Sequence, residues 1–410
     1  MKPLHLLLLL LPLPSASSAS PLTSVNMVQA LWDAWGSTGT TPQQSAASAQ
    51  AACSGHGFTA LRLAASPFWP SDWHSYSANK TAYFAAARGA LDALAAGGCT
   101  RLVLTLFWNI FALPDLHGEP LGALAQGARG LAPTQSFAAS LTYIDEFVGA
   151  FAGHPAVAAW ELTNELNLLY DLDQSHFCNC CAPSKGTPSV RSQADNVSTA
   201  DGMALFAAWA ARIRALDSVH PISTGHGMAR PAAQHLRASY FAPSPDWTLD
   251  TFEEFTQNLG DISSCCEWAS AHAYPGPDNA RWNATGQQDG SIVHYLQAAA
   301  AAAPRAPPLA PLRLFLGEFG QLPTPAGADP AAPRPYVDSL LAALAHTAPP
   351  GVPGITELAL MWVWEFGSQN SSSSSSSSWE GGRNDGWAVW PGVTQGVIDS
   401  LVRYNAGRGA

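Results

Sequence analysis

Two glutamates close apolar runs that read as buried strands. Glu165 lies in WELTNELN (160–167) and Glu318 in LRLFLGEF (312–319), each where its strand should end. A carboxylate at the mouth of a buried strand is costly to desolvate unless a partner pairs with it or a reaction needs it. Two such groups facing each other, with aromatic walls, have the equipment for glycoside hydrolysis. One donates a proton to the leaving oxygen while the other attacks or stabilises the anomeric carbon.

Other polar and aromatic residues fall at comparable strand positions. Arg62 lies within FTALRLAA (58–65), and Asn109 follows TRLVLTLFW (100–108). Asn164 precedes Glu165; His272 and Tyr274 close EWASAHAY (267–274); Trp362 and Trp364 close TELALMWVW (356–364). Trp362 and Trp364 have the same strand parity, so parity does not choose between them. Glu161, offset from Glu165 by an even number of residues with a bulge-prone turn between them, is expected to face away from the site. His226, in PISTGHG, reads equally as a cleft residue or as a loop cap.

The elements that must position these groups alternate. Strand-like runs at 25–31, 58–65, 100–108 and 156–163 precede helical stretches at 41–53, 81–96, 136–151 and 200–216. A fifth strand is expected near PISTGHG, and the runs at 267–274, 312–319 and 356–364 supply three more, with helices at 291–303 and 336–345. Eight strands alternating with helices predict an α/β fold, a single (β/α)8 TIM barrel over residues 20–410, in which chemistry sits where strands end. A doubly wound sheet is the alternative, but no Gly-rich phosphate loop follows the first strand. Residues 168–198 read as an insertion after the fourth strand. The serine run within 369–379 reads as a disordered loop, because it has no apolar surface to bury.

Residues 1–19 read as a secretory signal peptide. One lysine precedes a leucine run too short to span a bilayer and broken by Pro12 and Pro14. A secreted, monomeric protein is expected. Charged residues are 12% of the chain and the net charge is −11. With lysine only at positions 2, 80 and 185, there is no electrostatic footprint for nucleic acid or an anionic membrane. The 15 tryptophans divide between core packing and sugar-stacking surfaces. Seven cysteines in an exported chain suggest disulfides with one thiol left over. Cys53 and Cys99 could meet on adjacent units, and a bridge is expected between the Cys178, Cys180, Cys181 cluster and the Cys265, Cys266 pair. Tight cysteine spacing without paired histidines speaks against a metal site. Sequons stand at Asn79, Asn196, Asn283 and Asn370.

WELTNELN and LFLGEFG resemble the acid/base and nucleophile motifs of clan A retaining glycoside hydrolases, nearest to family 5. With LVLTLFWN, HPAVAAWELTNE and ASAHAYPG, the chain most resembles the plant-type mannan endo-1,4-β-mannosidases, through almost all of its length after residue 19. The resemblance implies a secreted endo-β-glycosidase acting on β-1,4-mannan, with no cofactor and no metal. Glu165 would be the acid/base and Glu318 the nucleophile. Asn164 would bind the sugar 2-hydroxyl, and Arg62 and Tyr274 would hydrogen-bond Glu318. His272 would lie near the acid/base, Asn109 would line the site and Trp362 would floor the reacting subsite. Trp108 stands where the plant enzymes commonly carry asparagine. Arg62 and Tyr274 are then expected to lower the pKa of Glu318, and the charge of Glu318 to raise that of Glu165. The alternatives are a β-1,4-glucanase of the same clan, or a silent barrel that only binds polysaccharide.

Overall fold

A computed structural model describes residues 22–175, 181–240, 242–275, 281, 292–304, 311–320, 329, 331, 334–345, 358–364 and 395–407. The leader, Cys178 and Cys180, the sequons at Asn283 and Asn370, and the serine loop lie outside the described residues.

Eight parallel strands close into a barrel in the order β1 to β8. They are β1 Leu22–Asn26, β2 Ala60–Ala64, β3 Arg101–Phe107, β4 Val157–Thr163, β5 Ile222–Ser223, β6 Trp268–Ala273, β7 Arg313–Phe319 and β8 Leu358–Met361. Helices pack between successive strands, so most strands are buried on both faces and read as near-continuous apolar runs. That is why the alternation was visible in the sequence. The expected helices are present at Pro42–Gln50, Lys80–Ala96, Gln135–Phe151, Thr199–Leu216, Ile292–Ala302 and Pro335–Ala345.

Three differences matter. The first strand starts earlier than expected, and Ala30–Ala34 is a short helix that follows it. The helix Phe252–Ile262 was overlooked, although Thr251 and Glu254 form a capping box that marks its start. Cys265 and Cys266 are bonded to each other, which overturns the expected bridge to the 178–181 cluster: adjacent residues need no second loop to reach them. Cys53 and Cys99 do pair, and Cys181 is also in a disulfide.

The lumen is filled in layers. At its base sits an apolar plug of Ala60, Val103, Ala159, Trp268, Phe315, Leu358 and Leu360. Along β2, β3 and β4 the next inward residues are Arg62, Thr105 and Glu161, all fully buried. Their neighbours Leu61, Leu104 and Trp160 belong instead to the outer core under the helices. Alternation thus carries an apolar base into a polar mouth at the C-terminal ends of the strands. Among the described residues no helix is long and apolar enough to cross a membrane.

Candidate active site

The polar mouth is organised by Arg62. Its guanidinium is wholly buried. Nη1 donates to Glu318 Oε1 at 2.7 Å and Asn26 Oδ1 at 3.2 Å, Nη2 to Asn164 Oδ1 at 2.8 Å, and Nε to Glu161 Oε1 at 2.6 Å. The Trp108 ring covers the cation at 4.4 Å, where its negative face complements the charge. Arg62 therefore hydrogen-bonds Glu318 while its own side chain is closed off from solvent.

Glu318 is nearly as deeply set, and register shifts in the β6–β7 and β7–β8 pairings bring it level with His272. Tyr274 Oη donates to its Oε2 at 2.8 Å, so both carboxylate oxygens are held. Burial pushes its pKa up, opposed by His272, Arg62 and the Tyr274 hydrogen bond. Arg62 and Tyr274 act in the expected direction, but desolvation, with the charge of Glu165 beside it, outweighs them and the net direction is upward.

Glu165 caps β4 in a left-handed conformation, φ 54°, uncommon for a residue with a side chain and found where surroundings enforce it. The enforcement is local. Its N–H donates to the Gly225 carbonyl at 2.8 Å, and Gly227 lies so close that a Cβ there would stand 2.8 Å from Glu165 Oε1. Gly225 has φ +72°, and a Cβ there would collide with the Thr163 carbonyl. The two glycines flanking His226 were thus a readable signal for close backbone approach. The Glu165 side chain keeps 33% exposure, against 5% for Glu318. Its pKa is raised, by burial rather than by the charge of Glu318, while Arg62 pulls the other way.

His272 joins the two acids. Its Nδ1 lies 2.8 Å from Glu165 Oε1 and 3.4 Å from Glu318 Oε2. One oxygen of each carboxylate and this nitrogen all fall within 4.8 Å of one another. Burial lowers the His272 pKa to about 4, so the imidazole is neutral at neutral pH. A cation could be imagined among these three groups, but both oxygens of Glu318 already accept hydrogen bonds and a guanidinium stands 2.7 Å away. A second cluster, His235, Asp250 and Glu254, is committed to local backbone donors of two helix starts.

Four other expectations sort differently. Asn109 is tied to loop backbone: Nδ2 donates to the Phe68 carbonyl and Oδ1 accepts from Phe111 N–H, so it braces the loops after β2 and β3. Trp362 is half-buried and lies parallel to Trp108 with ring centroids 6.0 Å apart, at the rim of an aromatic cluster with Trp32, Phe68 and Trp69. Trp364 is buried outside the lumen and donates Nε1 to Ser48 Oγ. β8 ends at Met361, so strand parity no longer applied to either tryptophan. His226 is buried against Phe206 and Tyr170, beneath the rim. Glu161, expected to face away, points into the lumen.

No family model and no curated protein matches the chain. Solved structures share its fold. The endo-β-1,4-mannanase from Thermotoga petrophila superposes with TM-score 0.58 at 13% identity, over 95% of this chain and 78% of that one. The endo-1,4-β-mannanase from Rhizomucor miehei gives 0.55 at 12%, over 95% of both chains. A GH5_18 protein from Streptomyces cattleya, in complex with GlcNAc, gives 0.56 at 15%, over 95% and 81%. At these identities the likeness is one of fold.

Proposed function

We propose that this chain is a retaining glycoside hydrolase that cuts β-1,4-linked polysaccharide internally, with mannan as its substrate. The carrying observation is the pair of carboxylates. Oxygens of Glu165 and Glu318 within 4.8 Å of each other fit double displacement, where carboxyl groups are about 5 Å apart, rather than inversion at about 6.5–9.5 Å. Their settings also differ in the way the two roles need. Glu318 is held on both oxygens by Arg62 and Tyr274, suited to an oriented nucleophile. Glu165 is more exposed, 33% against 5% for Glu318, so a leaving oxygen can reach it to take a proton.

In the first step Glu318 attacks the anomeric carbon as Glu165 gives its proton to the departing glycosidic oxygen, leaving a glycosyl ester. In the second, the Glu165 carboxylate takes a proton from water, whose oxygen attacks the anomeric carbon and frees Glu318. Asn164, its oxygen held by Arg62, has its amide N–H groups left for a sugar hydroxyl. Trp362 offers an aromatic face at the rim.

Mannan is favoured over glucan because two of the proteins sharing the fold are named endo-mannanases. The reading includes export of a monomer after removal of residues 1–19. Purified protein incubated with mannan, glucomannan and cellulose, with product sizing and NMR of the first-formed anomer, tests it. Internal cleavage of mannan with retained β configuration is expected. Inversion, or inertness on all three, would overturn the reading.

A further inference from the structure

Arg62 is flanked by one more buried carboxylate than its contact with Glu318 requires. Glu161 is fully buried in the middle of β4, and Trp160 and Leu162 on either side of it pack outward. Its Oε1 accepts from Arg62 Nε at 2.6 Å and from Thr105 Oγ1 at 2.7 Å; its Oε2 accepts from Ser223 Oγ at 3.2 Å. Gly225 lets the chain close over it, since a Cβ there would stand 2.9 Å from the Glu161 carboxyl carbon. The same glycine carbonyl takes the N–H of Glu165.

One cation between two buried carboxylates leaves a net negative charge in the lumen, and burying an extra charge is costly even when it is paired. A single carboxylate would neutralise Arg62. Hydrogen bonds from Thr105 on β3 and Ser223 on β5 instead aim Glu161 at Nε, the edge of the guanidinium opposite the groups that would meet substrate.

We infer that Glu161 is a positioning residue for Glu318, acting through Arg62. It pins the guanidinium plane from below, so that Nη1 points at Glu318 and Nη2 at Asn164. It also takes up part of the cationic charge, so that Glu318 is oriented without being fully neutralised and keeps its basicity. The role rests on the reading of Glu318 as nucleophile. The titratable and charged groups facing this cluster are Arg62 on β2, Glu161 and Glu165 on and after β4, His272 and Tyr274 on and after β6, and Glu318 on β7.

The test separates charge from geometry. Glu161→Gln keeps the shape and the oxygen that accepts from Arg62, and removes only the charge. Arg62 then acts undivided on Glu318, whose carboxylate becomes easier to form. The acidic limb of kcat/KM should move down by about half a pH unit or more. kcat on an aryl β-glycoside should fall about tenfold, because a weaker base attacks more slowly. Glu161→Asp keeps the charge and shortens the reach, so kcat should fall with the limb unmoved. If Glu161→Gln lowers only the melting temperature, with limb and kcat at wild-type values, Glu161 is a structural counter-ion and the inference is overturned. Should that variant not fold, Thr105→Val loosens the same carboxylate: a fall in kcat at constant KM supports the role, and wild-type kcat overturns it. A wild-type protein without glycosidase activity would sink the proposed function but not this coupling. Titration of the Glu318 carboxyl carbon by NMR then decides, a lower pKa in Glu161→Gln supporting it and an unchanged one refuting it.

Discussion

Nδ1 of His272 lies 2.8 Å from Oε1 of Glu165, and the imidazole is neutral because burial has pushed its pKa to about 4. The contact is therefore a hydrogen bond between the Glu165 carboxyl and a neutral ring, not an ion pair. A charged imidazole would have stabilised the Glu165 carboxylate and lowered its pKa. A neutral one holds the side chain in place and leaves its protonation to the surroundings.

The two glutamates should separate by leaving group. Proton donation matters most for a poor leaving group such as a sugar alkoxide. Glu165→Gln should lose about 10²–10⁴-fold on polysaccharide yet release a burst of aryl alcohol from an activated aryl glycoside, followed by a slow steady state. Glu318→Gln should lose both activities. Stopped-flow release of the aryl alcohol reads this directly, and a burst from Glu318→Gln alone would reverse the roles.

Tyr274→Phe removes a hydroxyl that donates to Glu318 Oε2 at 2.8 Å. Loss of a donor to the anion raises the pKa of Glu318 further above its usual range, where burial has already pushed it. Since Glu318 must be ionised to attack, the acidic limb of kcat/KM should move to higher pH, opposite in sign to Glu161→Gln. A limb that stays in place would mean the hydrogen bond contributes nothing to the ionised form.

Trp362→Ala should weaken turnover of oligosaccharides with little change in melting temperature, because the ring is half-exposed at the rim. Trp364→Ala should instead destabilise by about 3–5 kcal/mol, having emptied a buried site and orphaned Ser48. Kinetics and thermal melts on the pair would expose an exchange of these roles.

His226 is buried and its pKa is lowered to about 3, first by desolvation and then by His272. Its unfolded value is near 6.5. Between these values the unfolded chain holds a proton that the folded one lacks. Stability therefore rises with pH through this window and is lost as pH falls, by about 1.4 kcal/mol per unit per excluded proton. His226→Phe keeps the stacking on Phe206 and abolishes this titration, leaving His272 its own share. Melting temperatures between pH 6.5 and 4 should fall less steeply in the variant; an unchanged slope would place the acid sensitivity elsewhere.

The Cys53–Cys99 bridge ties the segment before β2 to the segment before β3 across a separation of 46 residues. In the chain-entropy model its removal costs about 4 kcal/mol. Cys53→Ala/Cys99→Ala should melt lower than wild type, and reductant should close most of the gap. Equal melting temperatures would show that the loop is constrained without it.

The barrel and its two glutamates were legible in the chain by itself, for a physical reason. Strands buried on both faces must be apolar along their whole length, so a glutamate ending such a run stands out, and eight runs alternating with helices leave few folds to choose from. Asn164, His272 and Tyr274 could be placed at strand ends in the same way, and Arg62 within the second strand. What the tertiary structure alone decided is where neighbouring strands bring side chains together. Glu161 shares a face with Arg62 because β2, β3 and β4 align Arg62, Val103 and Ala159 and then Ala64, Thr105 and Glu161, a register no single strand states. Asn109 braces a loop because Phe68 happens to fold over it, and Cys265 finds Cys266 rather than a distant loop. Alternation along one strand is local and survives in sequence. Register, loop closure and desolvation arise between segments far apart in the chain, and they decided which polar group faces the mouth and which way its proton equilibrium moves.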